Sequence, residues 1–291
     1  MARLGPGFHP AAGCLARVAL WAALCGLASG QAVLTGPPHD SGQGATAAFE
    51  GWFANPDGSF SLLFGYYNRN QKQDLEIAVG PENRMDPGGP DQGQPTHFLP
   101  GRQWGIFTVR VPKDFGGKKL NWTLTANGKT ASVPGSLNLL WELAPFLDAS
   151  GNTPPYISFK DGGPFLQGPR AEPVSTTATV GTPLALAIWA ADDEKINPGG
   201  RRPQTPPVTL HWSKFRGPGA VTFANDRAPL EKGDTQGAPQ NAVFTGKSAT
   251  TAIFSQPGEY ILRVVVNDWS GDGGRGFQCC WTNGQVKVSV K

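Results

Sequence analysis

The stretch PGEYILRVVVND, residues Pro257–Asp268, decides how the second half of this chain folds. Pro257-Gly258 punctuates the chain. Tyr260, Leu262, Val264 and Val266 then recur at every second position, the period of a strand that buries one face. Valines favour the pleated conformation, and Asn267-Asp268 closes the run with turn formers. Working outward, similar strand signals occupy residues 174–180, 184–191, 208–212, 221–223, 249–254 and 286–290, separated by turn-rich gaps. Leu184, Leu186 and Ile188 share a face, as do Val208, Leu210 and Trp212, and Val286, Val288 and Val290. Seven such runs predict a β-sandwich.

The first half reads the same way. Residues 49–53 and 59–67 flank Asn55-Pro56-Asp57-Gly58, a strong hairpin turn, and Phe60, Leu62, Phe64 and Tyr66 alternate on one face. Residues 74–79, 105–111 and 120–126 are further strands. Asn127-Gly128 predicts a type I′ turn into residues 129–133, and residues 137–143 close the segment. The 39 glycines and 27 prolines therefore punctuate strands rather than mark disorder. The fold class is all-β, with two β-sandwich domains at residues 49–145 and 174–291. Residues 31–48 form a flexible lead-in and 146–173 a Pro/Gly-rich linker. The C-terminal sandwich is immunoglobulin-like: Trp212 falls on its third strand, and Tyr260 stands where a tyrosine corner would lie. Its second and sixth strands carry no cysteine, so an inter-sheet disulfide is excluded.

Residues 171–291 also resemble the PKD-type and related immunoglobulin-like extracellular repeats. Trp212, Lys214, Gly217, Pro218 and Gly219 match a W-x-K-x-x-G-P-G motif. Pro257, Gly258, Tyr260, Leu262, Val264 and Asp268 match a second, and VGTPLALAIWAADDE resembles the family's second strand and acidic corner. The resemblance implies an extracellular setting, with adhesive or carbohydrate-associated roles in many members, and implies no activity. Two departures are the insert around residues 231–241 and the Gly-rich loop carrying Cys279-Cys280.

Residues 1–30 read as a secretory signal: Arg3 and Arg17 precede or flank a short apolar stretch, and Ala28-Ser29-Gly30 offers small residues before Gln31. The expected location is secreted, periplasmic or cell-surface. No later apolar run is long enough to span a bilayer, so no transmembrane segment is expected in the mature chain. Loss of the two signal arginines lowers the formal net charge of +3 by two, which leaves no basic excess for nucleic acid.

Candidate site residues gather at one pole of the C-terminal sandwich. Asp192, Asp193 and Glu194 follow the second strand, and Asp268 and Asp272 follow the sixth. The loops after those strands meet at one end of an immunoglobulin-like sandwich. Converging carboxylates suit a hard cation such as Ca²⁺; solvated turn residues are the favoured reading, and no cofactor is otherwise expected. Cys279 and Cys280, the only cysteines outside the signal, are expected to form a vicinal disulfide in an oxidising compartment. Trp269 and Trp281, in or beside that loop, are candidate binding residues for a glycan. Trp52, Tyr66, Tyr67 and Trp104 are read as packing. Thr245-Gly246-Lys247-Ser248 ends like a phosphate loop, but Asn241 stands where its first glycine belongs. The leading expectation is a non-catalytic binding or structural module that meets an envelope component, glycan or protein. The alternative is a carbohydrate-active enzyme, or its accessory subunit, using Asp193 and Asp268.

Overall fold

A computed structural model of the chain describes Met1 and residues 39–149, 151–195, 207–268 and 279–291. The expected signal segment lies outside the described residues, as do Trp269 and Asp272.

Asn55-Pro56-Asp57-Gly58 turns the chain between β1 (Ala45–Ala54) and β2 (Phe60–Asn68). Asn55 N donates to Ser59 O (2.8 Å), and the Ser59 hydroxyl donates to Asp57 Oδ1 (2.7 Å). β1 starts inside the expected lead-in. Short strands β3 (Leu75–Glu76), β4 (Asn83–Asp86) and β5 (His97–Phe98) follow. The longer β6 (Gly101–Val111), β7 (Leu120–Ala126) and β8 (Lys129–Gly135) complete the first sandwich. Its main sheets have the orders β1-β2-β6 and β4-β7-β8, and β3 pairs with β5. The β7–β8 turn has positive φ at both Asn127 (49°) and Gly128 (72°), as a type I′ hairpin requires. Between the sheets lies an aromatic core of Phe64, Phe98, Phe107 and Trp122. Trp122 Nε1 finds Asn83 Oδ1 at 3.0 Å, so even its polar atom is satisfied.

Within the closing run at residues 137–143 the chain forms a 3₁₀ turn, Leu139–Trp141. Asn138 caps it by accepting a bond from Leu140 N (3.0 Å), and a local cap of that kind competes with strand pairing. Leu139 and Leu140 are exposed.

The segment expected as a linker carries β9 (Tyr156–Ser158) and β10 (Leu166–Gln167), both part of the second sandwich. There follow β11 (Pro173–Ala178), β12 (Leu184–Asp192), β13 (Thr209–Arg216), β14 (Val221–Phe223), β15 (Glu231–Lys232), β16 (Phe244–Phe254), β17 (Gly258–Asn267) and β18 (Trp281–Val290). One sheet has the order β10-β9-β12-β16-β14, with β15 beside β16; the other has the order β11-β18-β17-β13. β11 runs parallel to β18, and the remaining pairs are antiparallel. Taking β12 to β18 without β15 as strands B, C, D, E, F and G gives B-E-D facing C-F-G. The strand before B splits between the two sheets. That is the immunoglobulin-like arrangement. Thr245-Gly246-Lys247-Ser248 lies within strand β16, not in a phosphate-binding loop.

Trp212 is buried, and the hydroxyl of Tyr260 donates to Gln256 O (2.8 Å), which closes the tyrosine corner. The two sequence motifs meet here. Gly217 has φ 143°, and a Cβ on it would strike the Tyr260 ring. Gly219 N donates to the Tyr260 hydroxyl (3.0 Å), and Lys214 Nζ donates to Gly219 O (3.0 Å).

Residues 38–291 form one compact unit. A small apolar cluster of Leu63, Val265 and Trp281, flanked by Leu143, joins the sandwiches. Phe215 and Ile261 of the second sandwich pack into the core of the first. Asn283 Nδ2 donates to Gly105 O (2.7 Å) and to Pro169 O (2.9 Å), while Arg263 holds Asn283 Oδ1 through Nε and Nη2. Arg216 grips Asp91 with two bonds of 3.0 and 2.8 Å. Among the described residues no helix is long and apolar enough to cross a membrane.

Candidate functional site

Asp192 is the last residue of β12, and Asp268 directly follows β17, so the two strand ends deliver their carboxylates to one pole. Each of the first two aspartates accepts a backbone N–H two residues on: Asp192 Oδ1 from Glu194 (2.9 Å) and Asp193 Oδ1 from Lys195 (3.1 Å). Such side-chain turns are a common way to leave a strand. Glu194 takes a positive φ of 50° within this turn.

The expectation of solvated turn residues is corrected by burial. Asp192, Asp193 and Asp268 are 1%, 7% and 4% exposed; Glu194 is half-buried. Against them lie Gly151, Asn152 and Thr153 of the expected linker. Asn152 Nδ2 donates to Asp268 Oδ2, and the Thr153 hydroxyl donates to Asp193 Oδ2 (3.0 Å). Lys195 Nζ reaches Gly151 O (2.9 Å) and lies 3.6 Å from Asp193 Oδ2. Asn152 is in turn fixed by its own N–H to Asp148 Oδ1 (2.9 Å).

Cys279 and Cys280 form a vicinal disulfide across a cis peptide bond. Both are buried, and their sulfurs lie 4.0 and 3.6 Å from Asn152 O. The same linker segment therefore touches the acidic corner and the disulfide. Asn152 was not among the residues singled out by sequence; a lone Asn in a turn-rich connector carries no signal of long-range placement.

Two buried oxygens at this pole, Asp192 Oδ2 and Asn152 Oδ1, have no hydrogen-bond partner among the described residues. Burial pushes the Asp192 carboxyl up to about 7. The charges of Asp268, Asp193 and Glu194 add to that rise, and the Glu194 N–H bond opposes it. A proton or a hard cation would relieve such a buried carboxylate. Among the described residues no group of three or more His, Cys, Asp or Glu side chains is arranged to hold a metal. One oxygen each of Asp193 and Asp268 is taken up by Thr153 and Asn152.

Trp281, expected as a glycan-binding residue, is 1% exposed. Its ring packs on Gly105 of the first sandwich, where no side chain would fit, so it offers no face to an outside ligand. Of the residues read as packing, Trp52 and Tyr66 are buried, Trp104 is half-buried under the Arg102 guanidinium at 3.7 Å, and Tyr67 is exposed.

No protein-family profile and no curated protein matches the sequence. Solved structures similar to it include a protein of unknown function from Porphyromonas gingivalis W83, with 11% identity over 85% of this chain and 100% of that one, at a TM-score of 0.23. Domains 4 and 5 of the S-layer protein SbsC share 9% identity over 85% of this chain and 98% of theirs (TM-score 0.22). The D0-D1 domain of intimin shares 13% over 84% and 97% (TM-score 0.24). At these scores the likenesses carry no argument, and the immunoglobulin-like assignment rests on strand order, Trp212 and the tyrosine corner.

Proposed function

We propose that the chain is an exported, non-catalytic binding or structural module of the cell envelope or extracellular space, its second sandwich of the PKD-like type. The observation that supports this most is the state of the acidic pole. Asp193 and Asp268 are buried and hydrogen-bonded to Thr153 and Asn152. Carboxylates committed in this way brace a corner; a hydrolase needs its pair open to substrate and to water. The disulfide packs against the same corner, with its sulfurs beside Asn152 O. The pole then serves as a rigid end of a two-sandwich body, suited to holding or spacing a partner.

The test uses the exported chain, which on this proposal carries Gln31 at its N-terminus. A panel of soluble polysaccharides is expected to show no hydrolysis, while Asp193→Asn and Asp268→Asn lower the unfolding temperature. Turnover that disappears in both variants, with the fold intact, would overturn the proposal in favour of a carbohydrate-active enzyme.

A further inference from the structure

Away from the pole, a cleft of about 610 Å³ opens between the two sandwiches, within the size range of small-molecule sites and at the kind of junction where they occur. One wall comes from β3 and β5 of the first sandwich and carries Asp74, Glu76 and His97. The other comes from β13, β14 and the turns beside them, and carries His211, Lys214 and Asp226.

The ionisable groups pair with one another. His97 sets Nε2 3.3 Å from Asp74 Oδ2 and Nδ1 2.8 Å from Glu76 Oε1. Lys214 Nζ meets Glu76 Oε1 from across the cleft, and His211 Nε2 lies 3.4 Å from Asp226 Oδ2. The three carboxylates, Asp74, Glu76 and Asp226, are about half exposed, so each has surface left from which to accept a further hydrogen bond. Beside these acceptors lies an apolar strip: Pro218, Val221 and Phe223, the last stacked on buried Trp212 at 6.4 Å.

That lining selects a chemistry. An anion would meet three carboxylates. A strong cation would have to displace His97 and Lys214 from Glu76. A purely apolar molecule would desolvate the carboxylate oxygens without bonding them. A neutral polyol has hydroxyls to donate to those oxygens and a C–H face to lay on Phe223 and Val221. We propose that this cleft is a saccharide-binding site, taking a neutral oligosaccharide segment. The proposal rests on reading the chain as a binding module, and gives that reading a site other than the pole.

Titration calorimetry of the full exported chain with cellohexaose, chitohexaose, laminarihexaose and mannohexaose tests it. Saturable binding of at least one is expected, weakened about tenfold or more by Phe223→Ala and by Asp226→Asn. Both variants are first checked for an unchanged unfolding temperature, and Asp226, half exposed at the rim, covers the case in which Phe223→Ala loses stability. Asp193→Asn, at the pole, is expected to bind as the parent does. No binding of any of the four sugars at millimolar concentration overturns the site while leaving the structural-module reading intact. Binding that survives both cleft variants overturns it too, as does binding of putrescine or inorganic phosphate in place of the sugars.

Discussion

At the scale of single residues, Tyr260 explains why two separated motifs occur together. Its hydroxyl both donates to Gln256 O and accepts from Gly219 N, and its ring occupies the space that Gly217 leaves open. Tyr260→Phe removes both bonds and strands a buried N–H, so a loss of about 1–3 kcal/mol is expected in denaturant unfolding. Gly217→Ala is expected to cost more, because its Cβ strikes the ring and its backbone conformation disfavours any side chain. Asp192 makes a different prediction. Its folded pKa of about 7 stands above the ordinary 3.8. Between those values the native state holds a proton that the unfolded state has released, so this group's contribution to stability is lost as pH rises through that window. With chelator present, Asp192→Asn is expected to be more stable than the parent at pH 8 and about equal at pH 4. The gap at pH 8 is on the order of 4 kcal/mol. Unfolding curves at the two pH values read the difference; a variant less stable than its parent at pH 8 contradicts it.

Among the elements, those legible from sequence were the ones whose pattern is local. β2 and β17 alternate over many residues with one face fully buried, and the Asn127-Gly128 turn needs only its own two residues. β4, β5, β9, β10 and β15 have two to four residues each, too few for a period to register, and β4, β9 and β15 form against longer neighbours that offer an edge. Residues 137–143 show the converse: an apolar run forms a 3₁₀ turn where Asn138 caps it. The candidate site was legible in part. Strand order brought Asp192, Asp193, Asp268 and the cysteines to one pole, but their burial depends on Asn152 and Thr153, whose role is purely tertiary. Trp281 was misjudged for the same reason, since the surface that covers it, Gly105 and Leu63, lies more than 170 residues earlier.

At the scale of the whole molecule, the junction governs behaviour. Trp281, Leu63 and Val265 form a shared apolar plug, and Asn283 hydrogen-bonds from one sandwich to the other. The two sandwiches are therefore expected to unfold in one transition. Trp281→Ala leaves a cavity in that plug and is expected to cost about 3–5 kcal/mol. Calorimetry of the variant should show the single transition split or broadened, because the coupling falls more than either separate core. A lowered but still single and sharp transition would mean that the remaining bonds of Asn283 and Arg216 suffice to couple them.

The position of β18 has a consequence for how the chain is made. This strand sits between β11 and β17, supplies Trp281 to the junction, and carries Asn283 to Gly105. It is also synthesised after every strand it touches. A nascent chain that has emerged only as far as β17 has its second sheet unclosed and the plug beneath the first sandwich missing. In such a chain the junction still lacks Trp281 and the Asn283 bond to Gly105. Completion of the junction therefore waits on β18, and folding of the two sandwiches into one body follows its synthesis.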